Sequence, residues 1–485
     1  MKYAKWNMLL IGGVWREGSS STVYDNQNPY SGETLVSLKL ANERDIDEAY
    51  RSAEQAQKGW EATPAFEKCR IIEKAIHALE ARKDEVQQLI IDELGGTRLK
   101  AHVELELTTG FMKEAATYPL RMNTEILPSA VPGKENRIYR TPVGVVGVIA
   151  PWNFPLHLAM RSVVSALATG NGVVLKPDLQ TCITGGMLIC EVFQEAGLPD
   201  GLLNLIVTDL AETGDAVIEH PIPRLISFTG STAAGRHIAE VAGRHLKKAA
   251  LELGGNSAFV VLDDADLEQA ASAAVFGKFM HHGQICMAVN RFIVDRSVYP
   301  EFSERLKEKM SKLKTGDPAD PDTVIGPLIN RRQVDRVLAL IEKSVEEGAR
   351  IMVQGEVKGN LIEPFLIIDA KNEMTIAQTE IFGPVAVIIP VDGEEAAIRA
   401  ANDTPNGLSG AVFTGSLERG LQVGKQIKTG MLHINDQSIN DEPHIAFGGE
   451  KASGLGRFGG EWALEEFTTY RWISLQNTPR AYPFS

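Results

Sequence analysis

Apolar and polar positions follow different rhythms in different parts of this chain, and the changes of rhythm mark its elements. From residue 8 to 40 short apolar runs such as Met8-Leu9-Leu10-Ile11 are broken by Gly12-Gly13 and by Asn28-Pro29-Tyr30-Ser31-Gly32, which predicts short strands and turns. Asn42 followed by Asp45 reads as a helix start, with Ile46, Ala49, Ala53 and Ala56 as its apolar stripe. A second helix is expected from about Ala65 to Leu94. Cys69, Ile72, Ala75, Ile76 and Leu79 fall there at helical spacing, which puts Cys69 in the core. Residues 98–117 predict a third helix. From Leu120 to Arg140 the chain turns polar and extended, with Pro128 and Pro132, and reads as an arm.

From residue 143 the pattern becomes regular. Val143-Gly144-Val145-Val146-Gly147-Val148-Ile149-Ala150 is a near-continuous apolar run, as in a strand buried on both faces. Val173 to Lys176, Leu202 to Val207 and Arg224 to Phe228 are further strands, with helical segments to Thr169 and Ala196 between them. Alternating strand and helix predicts a parallel sheet with right-handed crossovers. Ligands of such sheets sit beyond the carboxyl ends of the strands, which here carry Trp152-Asn153, Lys176-Pro177 and Thr229-Gly230-Ser231. Residues 256–430 read as a second α/β unit. Its strands are Ala258 to Leu262, Arg291 to Val294, Val385 to Ile389, Ala411 to Thr414 and Gly430 to Asn435, with amphipathic helices near 299–313 and 331–347. The tail Thr468 to Leu475 alternates weakly and is expected to pair with the arm, within or between subunits.

Composition narrows the function classes. The 485 residues suffice for two or three domains. A net charge of −14 argues against nucleic acid or an anionic membrane as partner. No run of 18 apolar residues predicts a transmembrane helix, and the N-terminus lacks a secretory pattern. The four cysteines, Cys69, Cys182, Cys190 and Cys286, are not spaced as a disulfide framework, which favours a reducing cytoplasm.

Candidate chemistry centres on Phe279-Met280-His281-His282-Gly283-Gln284-Ile285-Cys286-Met287, a short Gly-containing segment between two apolar runs. Taken alone it fits a buried cysteine at a helix start, since free Cys is among the most buried residue types. It also offers the access a nucleophilic thiol needs. His281 and His282 beside Cys286 raise the thought of zinc, but no further Cys or His stands at ligand spacing, and no metal is expected. Glu252, in the apolar and Gly-flanked Leu251-Glu252-Leu253-Gly254-Gly255, should have a raised pKa suited to a general base; a core Glu paired with a Lys or Arg is the plainer role. Asn153 follows a buried strand, where its amide can donate to an oxyanion or simply make a turn. Phe228-Thr229-Gly230-Ser231-Thr232-Ala233-Ala234-Gly235 joins a strand to a helix N-terminus, a place that favours phosphate but also an ordinary packing turn.

With Gly283-Gln284-x-Cys286 and Glu252-Leu253-Gly254-Gly255, the chain resembles the aldehyde dehydrogenase superfamily over nearly its whole length, most of all bacterial benzaldehyde and vanillin dehydrogenases. The resemblance implies an α/β fold with a dinucleotide-binding domain (1–123 and 143–253), a catalytic domain (254–455) and a β oligomerisation arm (124–142 and 466–485) in a homodimer or homotetramer. It implies a catalytic set of Cys286 as nucleophile, Glu252 as base and Asn153, with the Cys286 backbone N–H, as oxyanion donors. It implies cofactor contacts from Trp152, Lys176, Gly214, Gly230, Ser231, Gly235, Glu380 and Phe382. Three residues after the lysine, where NAD-preferring members often carry a ribose-binding Glu, this chain has Leu179, so NAD or NADP is expected. The expected reaction oxidises an aldehyde, aromatic by resemblance, through a thiohemiacetal and a thioester; an aliphatic or semialdehyde substrate, a non-redox cysteine esterase or acyltransferase, and an idle relative are the alternatives. Phe154, Leu158 and Arg161 share one helix face after Asn153 and are expected, with Ile285, Met287 and Phe447, to line the substrate pocket. Arg161 is expected either to meet a ring hydroxyl or to form a structural salt bridge.

Overall fold

The computed structural model describes residues 1–484, so the last residue of the expected arm, Ser485, lies outside the described residues. Two sheets and a small arm organise the chain. The first sheet has eight strands, and its centre is five parallel ones in the order Leu203–Leu205, Gly172–Lys176, Val145–Ile149, Leu225–Thr229, Lys248–Glu252. The chain runs outward from Val145–Ile149 in one direction and then returns to build the other side. That reversal opens a crevice beyond the carboxyl end of Val145–Ile149, where Pro151, Trp152 and Asn153 emerge. The N-terminal strands Leu9–Ile11 and Val14–Arg16 extend one edge antiparallel, and Gly454–Leu455 pairs antiparallel with Lys248–Glu252 at the other.

The second sheet has seven strands, ordered Arg350–Val353, Phe365–Ile368, Val385–Val391, Val289–Asp295, Ser257–Val261, Gly410–Phe413, His433–Ile434. Its inner strands are parallel and largely apolar, as the continuous runs predict, although Val289–Asp295 also carries the buried Asn290 and Arg291. The arm is a three-stranded antiparallel sheet of Thr124–Leu127, Lys134–Pro142 and Thr468–Gln476. The tail pairs within its own chain, from Thr468 opposite Pro142 to Gln476 opposite Lys134. Among the described residues no helix is long and apolar enough to cross a membrane.

Two elements depart from the sequence reading, and a third, Lys248–Glu252, was not marked by it. The helix expected from Ala65 to Leu94 breaks into Ala65–Ala81 and Lys83–Leu94, because Arg82 leaves helical geometry (φ −102°, ψ 17°) and its guanidinium is held by Glu85, Glu191 and Glu195. The segment after Lys176 passes through a short 3-10 turn, Leu179–Thr181, and a π-helical turn, Ile183–Met187, before the α-helix Leu188–Glu195. The buried Glu93 carboxylate takes the N–H groups of Ile183 and Thr184 there and loosens the turn. Lys248–Glu252 is a strand although its sequence, Lys-Ala-Ala-Leu-Glu, is built of helix formers; burial between two strands overrides propensity.

Candidate active site

Cys286 follows a turn with unusual backbone. His281 (φ 48°), His282 (φ 58°) and Gly283 (φ 76°) are consecutive left-handed residues, which places the thiol in a turn and not at a helix start. The strain is held from outside. Nδ1 of His282 accepts from the Gly326 N–H (2.8 Å), and its Nε2–H donates to the Gly95 carbonyl (3.2 Å). Both ring nitrogens are thereby engaged by backbone, and burial lowers the pKa to about 4, so this histidine is a neutral strut. His281 packs its ring edge-on to Phe154. Replacing Gly283 by alanine is expected to cost about 1–3 kcal/mol, because a Cβ there meets the Gly383 carbonyl oxygen at 2.3 Å in a strained backbone region. The urea midpoint reports the loss; an unchanged midpoint removes the strain argument.

Two cavities of about 220 Å³ each meet at this turn, and Cys286, Asn153 and Leu158 border both. Cys286 is the one cysteine among the described residues that is not buried. The first cavity is framed by Trp152, Gly230, Ser231, Glu252, Glu380 and Phe382. The second is apolar, with Phe154, Ile285, Met287 and Phe447 on its wall. Burial, with the Glu380 and Glu252 carboxyls nearby, pushes the Cys286 thiol up to about 12, against an opposing pull from Arg161. A thiol in that setting needs a base at hand before it attacks.

Glu252 ends its strand opposite Gly454, and neither of its buried carboxyl oxygens has a hydrogen-bond partner. Burial raises its pKa to about 8, which Arg161 partly opposes. Asn153 donates one amide hydrogen to the Gln284 carbonyl (3.0 Å), which fixes the amide plane and leaves its second hydrogen to serve another acceptor. The helix that follows, Pro155–Ala168, is anchored by a residue that sequence reading missed. The buried Glu104 takes the N–H groups of Leu156 (2.9 Å) and His157 (3.2 Å) while pairing with Lys100. The Lys100 and Glu104 spacing on one helix face was visible in sequence, but nothing there marked the pair as buried.

Glu380 also lines the first cavity, its Oε1 accepting from the Gly255 N–H (3.1 Å) and its pKa raised by burial to about 7. Phe382 takes a left-handed backbone (φ 54°) and sets its ring edge-on to Trp152, 5.4 Å between centroids. Ser231 caps the helix Thr232–Arg244, taking the Ala234 N–H. Lys176 ends its strand nearly buried. Burial lowers its pKa, while Asp178 and Asp209 hold it up. Lys176, Gly214 and Gly235 line no part of the cavity at Cys286. Gly235 lets its helix press on Leu253, where a Cβ would come within 2.2 Å, and Gly214 borders an open surface groove beside Glu212 and His220. Arg161, expected on the pocket wall, stands one layer behind it. Its guanidinium is buried between the rings of Phe447 (4.7 Å) and Phe458 (4.3 Å), 3.7 Å from Asp441.

A half-buried thiol between an apolar cavity and one lined by a helix N-terminus and buried carboxyls, at the reversal point of a parallel sheet, defines a covalent-nucleophile enzyme on a nucleotide-binding fold. The chain belongs to the aldehyde dehydrogenase family, whose model matches residues 15–473. It is 54% identical to a benzaldehyde dehydrogenase of Bacillus subtilis over the whole of both chains. A structure of an NAD-dependent benzaldehyde dehydrogenase from Corynebacterium glutamicum, 44% identical, superposes with a TM-score of 0.91 over 99% of this chain and 98% of that one. A salicylaldehyde dehydrogenase from Pseudomonas putida, solved with salicylaldehyde, gives a TM-score of 0.96 at 35% identity over 98% of this chain and 99% of that one.

Proposed function

We propose that this enzyme oxidises aromatic aldehydes to carboxylic acids with NAD or NADP, using Cys286 as covalent nucleophile. The observation that carries the reading is the position of Cys286 between the two cavities. A reacting carbon bonded to its sulfur faces the apolar cavity on one side and the space before Trp152, Glu380 and Phe382 on the other. The names of the relatives, benzaldehyde and salicylaldehyde dehydrogenases, support an aromatic ring in the apolar cavity.

The nicotinamide end of a dinucleotide would suit the first cavity on this chain's own features: unpartnered Glu252 oxygens, the capped helix N-terminus after Gly230, and a Glu380 carboxyl held by a single backbone N–H. When bound, its nicotinamide supplies the hydride acceptor. Glu380 would hold the nicotinamide ribose, and Trp152 and Phe382 would pack beside the ring. Lys176, Ser231, Gly230, Gly235 and Gly214 would serve the adenosine half and the phosphates. Residues 1–123 and 143–253 then form the dinucleotide-binding domain and 254–455 the catalytic domain.

Cys286, relieved of its proton, adds to the aldehyde carbon and gives a thiohemiacetal. Asn153, its plane fixed by Gln284, directs its second hydrogen at the oxyanion, with the Cys286 N–H beside it. Loss of hydride leaves a thioester on Cys286. Glu252 takes a proton from water, hydroxide adds to the thioester carbon, and the acid departs as the thiolate returns. One aldehyde, one water and one oxidised cofactor thus give one acid, one reduced cofactor and one proton.

Absorbance of reduced nicotinamide tests the reading, with benzaldehyde, vanillin and a short aliphatic aldehyde, each with NAD and with NADP. Turnover fastest on the aromatic aldehydes is expected; no reduction with any aldehyde sinks the reading and leaves a non-redox cysteine hydrolase. The arm supports assembly into a homodimer or homotetramer, because it exposes Ile126, Tyr470 and Trp472 on a three-stranded sheet with little core of its own. Light scattering should give a mass of two or four chains, and a single-chain mass overturns that assignment. The unpaired cysteines suit a reducing cytoplasm.

A further inference from the structure

The apolar cavity holds a carboxylate whose second oxygen has nothing to bind. Asp441 borders it together with His157. The His157 Nε2–H donates to Asp441 Oδ2 (3.1 Å), and the Arg161 guanidinium stands 3.7 Å from the same oxygen. The Asp441 side chain is 5% exposed and that of His157 is 3%. Asp441 Oδ1 has no donor, and His157 Nδ1 has none either. With Nε2 donating, Nδ1 is also an acceptor, so both orphaned atoms call for a hydrogen and neither can give one. A buried acceptor without a donor costs about 1–3 kcal/mol, more for a charged group; the unpartnered Arg161 nitrogens lie on the Oδ2 side, so Oδ1, at the cavity, is where a ligand hydroxyl would be favoured.

We propose that Asp441, oriented by His157 and charge-balanced by Arg161, accepts a hydrogen bond from a ring hydroxyl of the substrate, so that phenolic benzaldehydes are preferred over benzaldehyde itself. The inference rests on the aromatic-aldehyde reading above. Arg161 has a positioning role: the rings of Phe447 and Phe458 cover its two faces, and it acts on the substrate through Asp441. A carboxylate reads the phenolic proton specifically. It gains nothing from a methoxy oxygen, which has no hydrogen to donate.

The test compares kcat/KM of the full-length enzyme for benzaldehyde, 3-hydroxy- and 4-hydroxybenzaldehyde and their two methyl ethers, in the wild type and in Asp441→Asn and Asp441→Leu. The wild type is expected to favour one hydroxy isomer over its ether by roughly 10- to 100-fold, the worth of one hydrogen bond to a charged group. In Asp441→Leu that ratio should fall close to one, with Asp441→Asn between. A merely structural role for Asp441 would lower all five aldehydes together and leave the ratio intact. A wild-type ratio near one for both isomers, or a ratio that survives Asp441→Leu, overturns the proposal while benzaldehyde turnover keeps the underlying reading. No turnover of any of the five ring aldehydes fails that reading itself. If neither variant folds, binding of hydroxy aldehyde and ether to Cys286→Ala decides, and equal dissociation constants overturn the proposal.

Discussion

Replacing Cys286 with alanine is expected to lower aldehyde-dependent nicotinamide reduction by on the order of 10,000- to 1,000,000-fold, the scale of losing a covalent nucleophile. The thiol is the only group at the junction of the two cavities able to bond the aldehyde carbon. Without that bond the oxyanion is not formed where Asn153 can stabilise it. Fold and cofactor binding should survive, because among the described residues it is the His282 ring, and not the Cys286 thiol, whose hydrogen bonds anchor the turn. Dinucleotide binding, followed by quenching of tryptophan fluorescence, separates lost chemistry from a lost site. Residual activity above a tenth of wild type would assign the nucleophile elsewhere.

Glu252→Gln should act one step later. Glutamine keeps the shape of the carboxyl but cannot take a proton from water, so the thioester forms and persists. Steady-state turnover is expected to fall about 100- to 10,000-fold, the usual worth of a general base. The first turnover should still appear as a burst of about one reduced cofactor per site, and mass spectrometry of the quenched enzyme should find the acyl group on Cys286. The pH dependence has a definite sign. Burial holds the Glu252 pKa at about 8, so at pH 7 the acid form dominates and the basic carboxylate grows as pH rises through 8. Thioester hydrolysis in the wild type should therefore climb between pH 7 and pH 9 and flatten above. Loss of the burst in Glu252→Gln would instead place the base in the attack step, as activator of a thiol whose own pKa burial pushes to about 12.

What the sequence made legible follows from the range of the interactions involved. The inner strands of both sheets announced themselves because a strand buried on both faces must be apolar throughout, as Val145–Ile149 is. Cys286, Asn153 and Glu252 were singled out through short local motifs that resemble a family's, and the structure brings all three to the border of one cavity. Lys248–Glu252 escaped because its strand state comes from the strands on either side and not from its own residues. Arg82 broke an expected helix through partners more than a hundred residues away. Asp441 and His157 are 284 residues apart in sequence, and no local pattern marks either. The placement of Arg161 between two rings likewise depends on Phe447 and Phe458, nearly 300 positions on.

The small strand Gly454–Leu455 ties the order of synthesis to the order of competence. Leu253 donates to the Ser453 carbonyl and Glu252 lies opposite Gly454, so the strand end that carries the proposed base gains its last neighbour only when the ribosome has made more than nine-tenths of the polypeptide. A nascent chain stalled after the second sheet would already hold Cys286 and Asn153, yet Glu252, the proposed base, would still sit on an open edge. The Glu252 end of the strand is thereby completed late in synthesis.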